Sequence, residues 1–106
     1  MTVEQTLSER KNTHGDFKHN SAISTALKFD FREHDNFFHM PAYQQEALDM
    51  IAHKISRLIA GDCYFIDTWR DIAGYAQLVV NELSDDPKAT DTIQQYTKAT
   101  QVKLPL

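Results

Sequence analysis

The sequence predicts an all-α fold, a small helical bundle built around a central antiparallel hairpin of two helices, about 41–60 and 63–83. Apolar residues recur in both segments at the three- and four-residue spacing of one helix face. The chain of 106 residues contains only three glycines and three prolines, which argues against a many-turned β sandwich. Its apolar fraction of 42% and charged fraction of 25% are those of an ordinary globular protein. We therefore expect a single helical domain over residues 1–106.

The first forty residues predict two helices joined by a loop. Residues 2–10 are expected to form a short helix that Thr2 caps, and 11–16 form a loop because Asn, Gly and Asp cluster there. A second helix is predicted over 17–29. The segment 31–39 is less regular, and its three phenylalanines are expected to anchor it onto the core.

The clearest helix is predicted over 41–60. Pro41 suits its first turn, and Gly61 suits a left-handed cap at its end. Its apolar residues form one continuous arc: Ala47, Leu48, Ile51, Ala52, Ile55, Leu58 and Ile59. Its polar residues fall opposite that arc, with Lys54 at the margin: Glu46, Asp49, His53 and Arg57.

The next helix is predicted over 63–83, with Asp62 as its cap. Trp69 lies within its apolar arc and is expected in the core. The break before it is short, so the two helices should pack as a hairpin. Their arcs are wider than a hairpin alone can bury, and we therefore expect a homo-oligomer. A weaker helix is predicted over 87–101.

Charge and cysteine content limit the classes of function. A net charge of −4 disfavours a general nucleic-acid binder, which needs a basic face. The single cysteine, Cys63, excludes an internal disulfide and fits the cytoplasm. The first residues lack the pattern of a signal peptide, and no apolar run is long enough to cross a membrane. We expect a cytoplasmic protein without a membrane partner.

Two carboxylates are the first candidates for chemistry. Asp67 and Asp71 are four residues apart and lie one turn above each other, which costs an isolated helix about 0.2–0.5 kcal/mol. A metal ion, a cation from the neighbouring helix or solvent can offset that cost. Mg²⁺ prefers such hard oxygen ligands. Glu46 and Asp49, three residues apart, are the natural second half of a site or else belong to an exposed polar face.

Basic and loop residues are candidates for holding phosphate. Lys54 and Arg57 either grip a phosphate or pair with carboxylates of the chain. His14 and Gly15 offer a backbone approach to a ligand, although glycine is also an ordinary turn residue. Tyr75 either stacks on a base or closes a helix contact.

An ordered set of these residues resembles a group of small phage and prophage proteins. The set consists of Glu9-Arg10, His14-Gly15-Asp16-Phe17, Lys54-x-x-Arg57 and Asp67-x-x-x-Asp71-Ile-Ala-Gly-Tyr75, and it spans about residues 9–80. That group is distantly similar to the MazG-like, all-α nucleotide pyrophosphohydrolases. These enzymes hydrolyse a nucleoside triphosphate to the monophosphate and pyrophosphate, and they work as dimers or tetramers.

The resemblance implies roles for the candidate residues. Asp67 and Asp71 would form the second acidic pair and hold Mg²⁺, and Glu46 and Asp49 would form the first, catalytic pair. Mg²⁺ held by Asp67 and Asp71, with Glu46 or Asp49, would bridge phosphate oxygens and activate water. The implied nucleotide-binding residues are His14, Gly15, Lys54, Arg57 and Tyr75. The chain departs from the pattern, because its second acidic pair is spaced by four, a Glu-Glu-x-x-Glu run is absent and His14 replaces a tyrosine.

These departures leave three functions open. The first is a nucleotide-binding protein or Mg²⁺-dependent nucleotide pyrophosphohydrolase in the host cytoplasm. The second is a non-enzymatic phage accessory protein that binds a host protein or sequesters a nucleotide signal. The third is a structural oligomer.

Overall fold

The structure is a computed structural model, and it describes residues 1–90 of the chain. This part of the chain contains five helices. They are α1 (Val3–His14), α2 (Phe17–Arg32), α3 (Asp35–His39), α4 (Ala42–Ala60) and α5 (Ile66–Leu83). Residues 1–90 contain no strand, so the all-α prediction is confirmed. The predicted helix over 87–101 lies outside the described residues except for 87–90, which are not helical.

The first helix is longer than predicted and the loop after it is shorter. Thr2 caps α1 as expected, since its Oγ1 accepts the Gln5 N–H at 3.1 Å and the Gln5 side chain accepts the Thr2 N–H at 2.8 Å. The helix continues to His14, because nothing before Gly15 breaks it and Gly15 has a φ of +79°. The carboxylate of Asp16 then accepts the His19 N–H at 3.2 Å and caps α2.

Helix α4 is the organising element, and α2 and α5 both pack against it. Asp49 of α4 is bound by Arg32 of α2, and Lys54 of α4 is bound by Asp71 of α5. At 100° per residue Asp49 and Lys54 lie about 140° apart around α4, so its two neighbours occupy different sides. Apart from Leu58, the buried residues of α2, α4 and α5 are small or polar: Asn20, Ser24, Ala47, Ala52, Ser56 and Thr68.

The connection between α4 and α5 differs from the prediction. Pro41 precedes α4, and Gly61 has a φ of −120°, which is not left-handed. A Cβ on Gly61 would lie 2.5 Å from the Thr13 carbonyl oxygen, so glycine is required by the close approach of α1. Asp62 does not cap α5, since its carboxylate accepts the Tyr64 N–H at 2.9 Å and the helix begins at Ile66.

The described residues form a thin body, 56 × 34 × 21 Å, whose shortest dimension is about two helix diameters. Such a body buries little, and the expectation that Trp69 lies in the core is wrong, because its side chain is 53% exposed. Periodicity marks an apolar helix face but not whether anything covers it. No helix within residues 1–90 has the length and apolarity to cross a membrane.

Candidate functional site

A pocket of about 490 Å³ lies where the end of α1 and the start of α2 meet α4. Five basic or imidazole side chains line it, and we call it the cationic pocket: Arg10, Lys11, His14, His53 and Arg57. Among the described residues the pocket lining includes one carboxylate, that of Asp16, and this carboxylate caps α2. The pocket therefore presents several positive charges and little to neutralise them.

Two helical ladders build this pocket. Arg10 and His14 are four residues apart on α1, and His53 and Arg57 are four apart on α4, so each pair lies on one helix face. The end of α1 is held in place because Asn20 donates a hydrogen bond from Nδ2 to the His14 carbonyl at 3.2 Å. Each ladder therefore faces the pocket from a well-defined helix.

Electrostatics within the pocket are repulsive. Burial lowers the pKa of His14, and the charges of Arg57, Lys54 and Arg10 lower it further. Burial also lowers the pKa of His53, with Arg57 as the next largest cause. The pKa of Arg57 is lowered by burial and by Arg10. These shifts share one cause beyond burial, a positive potential that a bound anion would offset.

The imidazole of His14 has hydrogen-bonding capacity to spare. Its Nδ1 is buried and has no hydrogen-bond partner among the described residues. Its ring packs edge-on against Phe65, with ring centroids 5.8 Å apart and planes at 67°. Because protein atoms cover the Nδ1, a ligand oxygen in the pocket would reach it only after a shift of the ring.

Neither of the predicted metal ligands, Asp67 and Asp71, lines this pocket. The Oδ2 of Asp71 is 3.0 Å from the Lys54 Nζ, and the Oδ1 of Asp67 is 3.6 Å from the Arg70 Nη1. Cations of the chain therefore offset the repulsion between the two aspartates. Among residues 1–90 no three His, Cys, Asp or Glu side chains group closely enough to hold a metal.

The predicted catalytic pair is not brought together. Arg32 binds Asp49 through two hydrogen bonds of 3.0 and 2.6 Å, and this contact lowers the pKa of Asp49. Glu46 instead lines a groove between α4 and α5 with Tyr43 and Tyr75. The two carboxylates, although three residues apart, point to different neighbours of α4.

The predicted nucleotide-binding residues divide in the same way. His14, Gly15 and Arg57 line the cationic pocket. Lys54 contributes its charge from the α5 side, and Tyr75 lines the separate α4–α5 groove.

Three basic or imidazole residues of the pocket, Arg10, Lys11 and His53, were not among the ligand-binding residues predicted from the sequence. The spacing of four from Arg10 to His14 and from His53 to Arg57 was the available signal. For Arg10 and His14 this spacing predicts a shared helix face only if α1 extends to His14, as it does in the structure.

Comparisons with known proteins add no relative. No protein-family model matches the chain, and no match is found among curated proteins or solved structures.

Proposed function

We propose that this chain binds a nucleotide through its phosphates in the cationic pocket, as a phage-type protein of the host cytoplasm. The observation that carries the proposal is the convergence of two ladders, Arg10–His14 and His53–Arg57, on one pocket. Repulsion among the like charges is unfavourable in the unliganded protein. A bound phosphate offsets this repulsion because it attracts each of the cations.

The parts of the pocket match the parts of a nucleotide. The guanidinium groups of Arg10 and Arg57 suit bidentate contact with phosphate oxygens. Phe17 lines the same pocket and is 80% exposed, so its ring offers a surface on which a base can stack. In this proposal His14 acts as part of the pocket lining, through the positive charge that its imidazole gains on protonation.

A second candidate is Mg²⁺-dependent pyrophosphohydrolysis of the bound nucleotide. The position of Asp71 favours it: the carboxylate is half exposed, it touches Lys54, and its charge acts on both His14 and Arg57. Asp67 and Asp71 would hold Mg²⁺ against phosphate oxygens, where the ion stabilises charge and activates water. Glu46 and Asp49 would assist only if the helices rearranged.

The scaffold and the assembly form part of the same proposal. We take α4 and α5 to act as an antiparallel hairpin that fixes the second ladder. The exposed apolar side of α5, with Ile66, Trp69 and Val80 each more than half exposed, supports a homo-oligomer.

Calorimetric titration of ATP, GTP and their monophosphates, each with and without Mg²⁺, tests the proposal. We expect saturable binding, and release of pyrophosphate in the Mg²⁺ arm if the second candidate holds. Asp71→Asn should abolish turnover while leaving Mg²⁺-independent binding in place. Failure to bind any nucleotide, with or without Mg²⁺, would end the nucleotide proposal.

Binding should strengthen as the solution becomes more acidic. The lowered pKa values of His14 and His53 favour the neutral form of both rings in the unliganded protein. A bound anion favours their protonation, so affinity should rise as the pH falls toward these lowered pKa values, by about tenfold for each unit by which the anion raises one of them. The unliganded chain should lose stability over the same range, because its unfolded state takes up protons first.

A nucleoside 5′-sulfate is the suitable probe for this pH dependence, because a sulfate ester does not titrate between about pH 5 and pH 8. The double variant His14→Gln/His53→Gln should bind with an affinity independent of pH. His34→Gln, an exposed control outside the pocket, should behave like the parent chain. An affinity that falls on acidification contradicts the prediction.

A further inference from the structure

One exposed side of α5 carries an uninterrupted row of apolar residues. The residues of this row follow one another at alternating intervals of three and four residues. We call the row the α5 seam: Ile66, Trp69, Ala73, Ala76, Val80 and Leu83. Ile66, Trp69 and Val80 are 56%, 53% and 52% exposed. This is the spacing with which one helix packs along another in a coiled coil. Within residues 1–90 α5 packs mainly against α4, and Ala76 and Leu83, at the edge of the seam nearest α4, also line a pocket between the two helices.

The seam is complementary to itself. About a two-fold axis between Ala73 and Ala76, an antiparallel copy places Ala73 opposite Ala76, Trp69 opposite Val80 and Ile66 opposite Leu83. The two small residues occupy the centre, where they allow the helices to approach closely, and the largest residue meets a smaller one. Such reciprocity is the requirement of an interface between two copies related by a two-fold axis.

Charge placement is compatible with this pairing. None of the six seam positions carries a charged residue, as is typical of the centre of an interface. The nearest cation on the border is Arg70. In the two-fold register the two Arg70 positions lie nine residues, about 13 Å, apart along the axis, which is beyond the screening length of about 8 Å at physiological salt.

A pocket adjoins the seam at the level of Val80. It holds about 270 Å³ between α4 and α5, and its lining is almost wholly apolar, including Met40, Leu48, Ile51, Ala76 and Val79. The register places Trp69 of a second copy beside this pocket. The Trp69 Nε1 already donates to the Cys63 carbonyl at 2.9 Å, so covering the ring leaves no donor unpaired.

We propose that a second copy of this chain docks on the α5 seam, with the two α5 helices antiparallel about an axis between Ala73 and Ala76 and each Trp69 packed at the other copy's α4–α5 pocket. The 18 residues of α5 extend about 27 Å. If the contact covers α5 and the neighbouring α4, two helix diameters give a width of about 20 Å and thus about 500 Å² per copy, a total of about 1,000 Å² that lies at the lower limit for a specific interface.

Disulfide trapping in the full-length chain tests the register. In a Cys63→Ser background, Ala73→Cys chains and Ala76→Cys chains with a mass tag are mixed and oxidised. We expect a mixed disulfide dimer as the main product, because the two positions lie opposite each other. Leu78→Cys is the matched control, since Leu78 is 61% exposed but lies about 180° from Trp69 around α5, and it should not cross-link.

Sedimentation of the unmodified chain supplies the second readout. It should report twice the 12.2 kDa chain mass, and Trp69→Ala should weaken the dimer by about thirty-fold, as expected for a tryptophan buried in an interface. A monomer, as when residues 91–106 of the same chain cover the seam, overturns the proposal. A dimer that cross-links through Leu78→Cys, or that fails to trap the mixed disulfide, also overturns it.

Discussion

Arg57→Met is expected to reduce nucleotide affinity by about ten- to a hundredfold. Methionine keeps an unbranched apolar stem of similar length and removes the guanidinium group, so the packing changes less than the charge. A hydrogen bond to a charged group contributes about 1.5–3 kcal/mol, and each 1.4 kcal/mol corresponds to tenfold in affinity. Arg57 is the cation that lowers the pKa of both pocket imidazoles most, ahead of Lys54, so its loss removes the charge that acts most strongly on the pocket.

The same variant should fold at least as well as the parent chain. Burial lowers the pKa of Arg57 and the charge of Arg10 lowers it further, so removing the guanidinium group relieves both a desolvation cost and repulsion with Arg10. The pKa of both pocket histidines should rise toward 6.5 for the same reason. Loss of binding with stability retained separates a ligand-binding role from a structural one. Isothermal titration and thermal unfolding on the same samples measure both.

Arg70→Met is the matched control for this experiment. Arg70 lies on α5, is 69% exposed at its side chain and pairs with Asp67 at 3.6 Å. An exposed pair of this kind contributes little to stability, and the residue does not line the cationic pocket. Equal losses of affinity in the two variants would mean that binding follows net charge rather than the pocket.

The sequence predicts α4 well because each signal agrees there. The apolar period, Pro41 before it and Gly61 after it mark the ends of the helix correctly, although neither residue has the expected geometry. The start of α5 is predicted too early, because Asp62 and its carboxylate form a turn that resembles a helix cap in sequence. Such a local ambiguity is resolved only by contacts with a distant part of the same chain. Here the contact is with Thr13 of α1, whose carbonyl accepts the Asp62 N–H at 2.9 Å.

The candidate site is predictable only in part, because some of its residues are marked by local patterns and others are brought in by distant contacts. His14, Gly15 and Arg57 stand out by residue type and spacing, and the structure brings them to one pocket. Their relation to Arg10 depends on how α1 crosses the end of α4, which no local pattern encodes. The uncovered side of α5 could not be predicted either. Trp69 fits the apolar period as well as a core residue does, yet it is exposed.

Gly61→Ala is expected to lower the free energy of unfolding by about 2–3 kcal/mol. The added Cβ would lie 2.5 Å from both the Thr13 carbonyl oxygen and the Gly15 nitrogen, and these are backbone atoms that cannot move alone. Gly15→Ala should cost at least as much, because its Cβ would overlap the Ala60 carbonyl and its φ of +79° disfavours alanine. These two glycines form the crossing that sets α1 against α4.

Nucleotide binding should weaken together with stability in Gly61→Ala. Moving α1 away from α4 separates Arg10 and His14 from His53 and Arg57, so the pocket opens even in the fraction of molecules that stays folded. Thermal unfolding followed by circular dichroism measures the first effect. Titration at a temperature well below the transition measures the second.

Gly74→Ala supplies the control, since it is the same chemical change at a third glycine. A Cβ on Gly74 meets nothing within 4 Å, and the residue lies inside α5. Alanine there should raise the free energy of unfolding by about 0.5–1 kcal/mol, because glycine is a poor helix former. If Gly61→Ala and Gly74→Ala shift stability in the same direction, the crossing of α1 and α4 does not depend on the close backbone approach. The cationic pocket would then lack the rigid wall on which ligand binding relies.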